Sequence, residues 1–171
     1  DLTKSPKKFT VTSPYMLAKM LADEYYPDLE ALMMALADLL KSQVSDIDAD
    51  VLQVDEANVT GHPSDGSLAA KGINRVLEGA QRERAVHLCF GNYGGQSIQE
   101  GAYAKLIAFL NELHADHVLL EMARRPAEEL GRLKNVKPEI GLGIGVIDIK
   151  DNEVETPELV ARRIECAARE L

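Results

Sequence analysis

His87 and Cys89 stand two positions apart in Ala85-Val86-His87-Leu88-Cys89-Phe90-Gly91, at the end of a run that reads as a buried β-strand. Successive strand side chains alternate between faces, so both leave the strand on the same side. A neutral imidazole and a thiolate are ligand types that zinc favours, and a pair already oriented on one strand needs one or two more donors to close a site. Glu121, at the end of the next apparent strand, is the natural third. Taken alone, such a pair is more often a packed cysteine beside a satisfied histidine than a metal site, because free Cys is among the most buried residue types.

The elements that must position these residues alternate between strand and helix. A strand from Lys8 to Ser13 ends at Pro14, and apolar residues then recur at helical spacing between Pro27 and Val44. Asp50 to Val54, Arg84 to Cys89 and Asp116 to Leu120 read as strands, and Ile140 to Ile149 contains a fifth after a glycine-rich entry. Between and after them, Ser67 to Ala80, Tyr103 to Leu113, Pro126 to Leu133 and Pro157 to Leu171 read as helices, the last capped by Thr156. Strands without clean alternation, each followed by a helix, predict an α/β fold with a helix-covered parallel sheet.

The polar residues discriminate between an open sheet and a barrel. Asp55 and Glu56 follow the second strand, His87 and Cys89 end the third, Glu121 ends the fourth, and Asp148 with Lys150 follows the fifth. All lie at carboxyl ends. A (β/α)8 TIM-type barrel assembles its site in this way from neighbouring strands, whereas an open sheet concentrates it at one switch point. Five strands are fewer than eight, so residues 1–171 are expected to form a single domain that supplies the central and C-terminal strands of an incomplete barrel. Exposed barrel edges would favour homo-oligomers.

Composition narrows the partners. Asp and Glu outnumber Lys and Arg by 28 to 19, and the excess is spread along the chain, which argues against a nucleic-acid surface. No apolar run is long enough to span a bilayer and the N-terminus lacks the apolar core of a signal peptide, so a cytoplasmic protein with no membrane role is expected. Cys166 sits in helical spacing beside Ile164 and Ala167 and reads as packing. Gly141, Gly143 and Gly145 precede a strand rather than opening a helix, which excludes a nucleotide-binding loop and suggests close backbone approach. His62, His114 and His117 lack partners at ligand spacing and read as surface or edge residues. Asp55 and Glu56 either belong to the site or cap the following loop. Arg124 and Arg125 either hold an anionic substrate group or pair with acidic neighbours.

Four motifs in order, Val51-Leu-Gln-Val-Asp-Glu56, His87-x-Cys89, Leu120-Glu121 with Ala-Arg-Arg, and Gly143-Ile-Gly-Val-Ile-Asp-Ile149 with Val154-Glu-Thr-Pro-Glu158, resemble the C-terminal catalytic barrel of cobalamin-independent methionine synthases. The segment from Phe90 to Gln96 and the stretch to Glu121 look more like the short, single-barrel relatives called methionine synthase II. The resemblance implies a zinc-dependent methyltransferase that methylates homocysteine to methionine, with His87, Cys89 and Glu121 as metal ligands and Asp55 where the family holds the amino group of homocysteine. The implied methyl donor is methyltetrahydrofolate, or methylcobalamin or a corrinoid protein. In the family a further cysteine, in a Pro-Asp-Cys-Gly segment beyond the position of Leu171, completes the ligand set. Lys150 stands where folate-dependent members carry a proton-donor histidine, and Ala57 replaces the proline of Asp-Glu-Pro. Related members include epoxyalkane to coenzyme M transferases, so another zinc-dependent thiol transfer is the alternative, and a non-catalytic barrel fragment is the third reading.

Overall fold

The computed structural model describes residues 3–171; Asp1 and Leu2 lie outside them. Five strands, β1 (Lys8–Thr12), β2 (Val51–Glu56), β3 (Glu83–Leu88), β4 (His117–Glu121) and β5 (Gly141–Gly145), form one sheet in the order β1-β2-β3-β4-β5. Every pairing is parallel. The order never reverses, so the sheet has no switch point of the kind at which open α/β sheets bind ligands.

The crossovers are helical, α1 (Pro14–Met20), α2 (Leu29–Val44), α3 (Gly66–Leu77), α4 (Ile107–Glu112) and α5 (Glu128–Leu133), and α6 (Pro157–Glu170) follows β5. Their starts follow local chemistry. The Asp28 side chain accepts from Ala31 N at 2.8 Å to cap α2, and Thr156 does the same for Leu159 N at 3.3 Å ahead of Pro157 in α6. Helix α1, which the sequence reading passed over as a strand end, is capped by Ser13 with Pro14 in its first turn. The Ser-Pro pair was the signal for it.

One face of the sheet lies under these helices. Leu52, Val54, Val86, Leu88, Val118 and Leu120 point into the core formed with Tyr15, Met33, Ile73, Leu77, Phe109 and Leu110. Burying apolar side chains of this kind is the principal favourable contribution to folding. The alternate residues Gln53, Asp55, His87, Leu119 and Glu121 project from the other face.

Two expectations about elements need correction. The helix expected from Tyr103 is interrupted: a 3-10 turn at Tyr103–Lys105 precedes α4, because Tyr103 is drawn wholly into the core and Leu106 leaves helical geometry. The glycines at 141, 143 and 145 are β5 itself and do not precede it, and residues 146–149 are outside the strand. Gly143 shows why the position is glycine. A Cβ there would lie 3.3 Å from Leu119 Cγ and 3.5 Å from Val118 O, in the close approach of β5 to β4.

Candidate functional site

The strand register assembles the candidate residues. Asp55 pairs in register with His87, His87 with Leu119, and Leu119 with Gly143, giving one row across the non-helical face. Leu88 pairs with Leu120, so Cys89 continues the ladder level with Glu121, and Cys89 N donates to Glu56 O at 3.2 Å. His87, Cys89, Glu121 and Lys150 line a single cleft of about 520 Å³, together with Gln53, Leu119, Ile147 and Ile149. A neighbouring hollow of about 270 Å³ shares His87 and Cys89 and adds Asp55, Met16 and Asn58. His87 and Cys89 therefore stand between the two.

Most of these groups have a defined partner. His87 Nδ1 faces Asp55 Oδ1 at 3.4 Å, and Gln53 donates to the same Asp55 oxygen at 2.7 Å while accepting from Lys8 Nζ at 3.0 Å. Burial penalises the Asp55 charge, but the hydrogen bonds from His87 and Gln53 and the charges of His87 and Lys8 outweigh it and hold the carboxyl below its ordinary value. Burial pushes the Cys89 thiol up, and the negative charges of Glu121 and Asp55 add to the effect. Lys150 Nζ donates to both Glu121 oxygens, each at 2.6 Å, and its side chain is only 1% exposed.

Among the described residues, no three His, Cys, Asp or Glu side chains stand close enough together to hold a metal ion as they are arranged here. The donor types nevertheless match those zinc takes: an imidazole, a thiol and a carboxylate line one cleft.

Asp55 and Glu56 separate, although adjacent in sequence. Glu56 is 1% exposed, accepts the backbone N–H groups of Asn58 and Val59 at 2.5 and 2.9 Å, and is hydrogen-bonded by Ser13 Oγ. It caps the loop after β2, and burial pushes its carboxyl above the ordinary range. Of the two readings of the pair, loop capping describes Glu56, while Asp55 lines the hollow beside the cleft. Arg124 pairs with Asp148 at 2.6 Å, and Arg125 pairs with Glu129 at 2.5 Å and lies 4.2 Å over the Phe90 ring. Both are ion-paired with acidic neighbours. His62 and His114 are exposed, His117 meets Glu83 at 2.9 Å, and Cys166 packs half-buried against the core.

Sequence reasoning missed Tyr103. Its buried hydroxyl lies 3.2 Å from Leu88 O and 3.0 Å from Glu121 O, tying together the ends of β3 and β4 beside Cys89 and Glu121. Burial raises its phenol well above the ordinary value, so it remains a hydrogen-bond donor. No spacing rule marks it; a tyrosine at the start of an apolar helix reads as core.

The chain is similar over most of its length to proteins named methionine synthase. It is 30% identical over 167 residues to that of Pyrococcus furiosus, covering 96% of this chain and 46% of the relative. It is 29% identical over 170 residues to that of Pyrococcus abyssi, covering 98% of this chain and 47% of the relative. The chain thus spans about half the length of these curated relatives. The family model described as the catalytic domain of cobalamin-independent synthase matches residues 3–171, and the chain belongs to that family.

Proposed function

We propose that this chain forms part of a (β/α)8 barrel in a zinc-dependent methyltransferase that makes methionine from homocysteine. The observation that carries the reading is the convergence of His87, Cys89 and Glu121, from the ends of two neighbouring strands, on one cleft in a chain of this family. The unbroken parallel strand order supports the barrel, since closure requires neighbours in sequence to be neighbours in the sheet.

In this reading His87, Cys89 and Glu121 hold the zinc. When bound, zinc would supply the positive charge that lets the acceptor thiol lose its proton near neutral pH and attack the methyl carbon. Asp55 Oδ1 lies 3.4 Å from His87 Nδ1 and in this reading orients the ring with the proton on Nδ1, which leaves Nε2 as the ligating nitrogen. The remaining oxygen of Asp55 is available to the amino group of homocysteine, whose positive charge the ionised carboxylate attracts. Leu119, Ile147 and Ile149 give the cleft an apolar wall beside the reacting groups. Tyr103 keeps the β3 and β4 ends at fixed separation.

Elemental analysis of the purified wild type beside Cys89→Ser tests the assignment. The expected result is about one zinc per wild-type chain, as a single site requires, lost in the variant, with a proton released when homocysteine is added to the wild type. Zinc-free wild type, or zinc retained by Cys89→Ser, would reject it.

A further inference from the structure

The Lys150 ammonium has three N–H donors and three acceptors within reach: Glu121 Oε1 and Oε2 at 2.6 Å and Ser97 Oγ at 3.2 Å. Its side chain is 1% exposed and that of Glu121 17%. The backbone that carries it is held as well. Lys150 N donates to Asp148 Oδ1 at 2.9 Å, and Asp148 N donates to Glu155 Oε2 at 2.8 Å. Glu155 in turn is paired with Arg163 of α6, whose guanidinium donates to Val146 O at 2.7 Å. On the other side Gly95, at φ 79°, passes so close that a Cβ would lie 3.2 Å from Lys150 O. The turn is thereby clamped between α6 and the glycine-rich loop, and it directs the ammonium onto the carboxylate.

A divalent cation on Glu121 would need the oxygens that Lys150 engages, and the two positive charges would stand close together beside a largely buried carboxylate. We propose that Lys150 competes with the metal for Glu121, so that the carboxylate is a shared ligand and the lysine sets how tightly the site holds zinc. The inference rests on the zinc reading above and makes Lys150 a positioning residue acting through Glu121. Lys150 makes no hydrogen bond to His87 or Cys89, so its direct contact with the ligand set is through Glu121 alone.

The test is a double-mutant cycle read by metal affinity. Zn²⁺ and Co²⁺ dissociation constants are measured by chelator competition for wild type, Lys150→Met, Glu121→Gln and the double variant. The thiolate-to-Co²⁺ absorption band verifies Cys89 ligation in each. Lys150→Met is expected to tighten binding by about tenfold, as removal of a close cation should, and by less than about twofold in the Glu121→Gln background. Lys150→Gln, which keeps a hydrogen-bond donor without the charge, is expected to lie between wild type and Lys150→Met and decides the matter if the methionine variant does not fold. Unchanged or weaker binding would overturn the proposal, since it would make Lys150 a support for Glu121 rather than a competitor. Equal tightening in both backgrounds would overturn it too, by reducing the effect to repulsion without a shared carboxylate. Absence of metal binding in the wild type and every variant would overturn both this inference and the zinc reading beneath it.

Discussion

The same strands carry two unlike faces. On the helix side Val54, Val86, Leu88 and Val118 are 0% exposed, and their neighbours are other apolar side chains. On the cleft side Asp55, His87, Cys89 and Glu121 alternate with them, each only partly buried and most held by a polar partner. One residue of displacement along a strand separates packing from chemistry. The division teaches that stability and reactivity are written at interleaved positions of one sequence, and that adjacent residues should respond oppositely to substitution.

Leu88 and Cys89 offer the sharpest way to break that comparison. Leu88→Ala should cost roughly 2–5 kcal/mol of stability through lost burial and a cavity, while the folded fraction keeps its metal affinity. Cys89→Ser should do the reverse: metal binding and methyl transfer disappear, and the midpoint of denaturant unfolding measured with a chelator present stays within experimental error. If both variants lose stability alike and metal alike, the two faces are not separable.

Tyr103 joins the faces, and its removal should register on both. Tyr103→Phe keeps the ring in the core and deletes the hydroxyl link to Leu88 O and Glu121 O, with an expected loss of about 1 kcal/mol in urea unfolding. Zinc affinity should fall by about tenfold as the spacing of Cys89 and Glu121 loosens. An effect on stability without one on affinity would confine Tyr103 to the core.

Asp55→Asn should act on the polar face alone. If the proposed function holds, loss of its charge should raise KM for homocysteine by about tenfold in steady-state assays of the full enzyme, with a smaller change in kcat, because in that proposal the carboxylate binds the amino group away from the reacting sulfur. A fall confined to kcat would place Asp55 at the chemical step instead.

Glu56 gives the smallest effect and the complementary one. Its carboxyl is raised by burial, so between the ordinary carboxylate value and the raised one the folded state binds more protons than the unfolded chain. Its contribution is therefore present at low pH and declines as pH rises through that window. Glu56→Gln retains an oxygen to accept from Asn58 and Val59 and should flatten this part of the stability–pH curve, measured by urea unfolding from acid to neutral pH. An unchanged slope would show that another group titrates there.

Much of the fold was legible because its signals are local. The alternation of strand and helix, the capping by Asp28 and Thr156, and the helical spacing from Leu29 to Val44 depend on a few neighbouring residues, and the strands fall within a residue or two of expectation except at β5. There the glycines misled, because a strand with no side chains on one face carries no hydrophobic pattern, and only the approach of β4 explains them. The gathering of His87, Cys89 and Glu121 at one end was legible for the same reason: in a parallel sheet the carboxyl ends of the strands must lie together. The engagement of Glu121 by Lys150 was not, because the turn that aims the lysine is set by Asp148, Glu155 and Gly95, which lie between 2 and 55 residues away from it in sequence.

By itself, the sequence determined which residue types stand at which strand ends and on which alternating face they project, since backbone periodicity and parallel pairing follow from short-range sterics and hydrophobic pattern. Tertiary structure alone decided which partner each group meets. It sent Asp55 to His87 and Glu56 to a backbone loop, set the Tyr103 hydroxyl between two strands, and closed Lys150 on Glu121. Such contacts join residues far apart in the chain, and they are fixed by packing, where burial makes an unpaired charge too costly to leave without its counterpart.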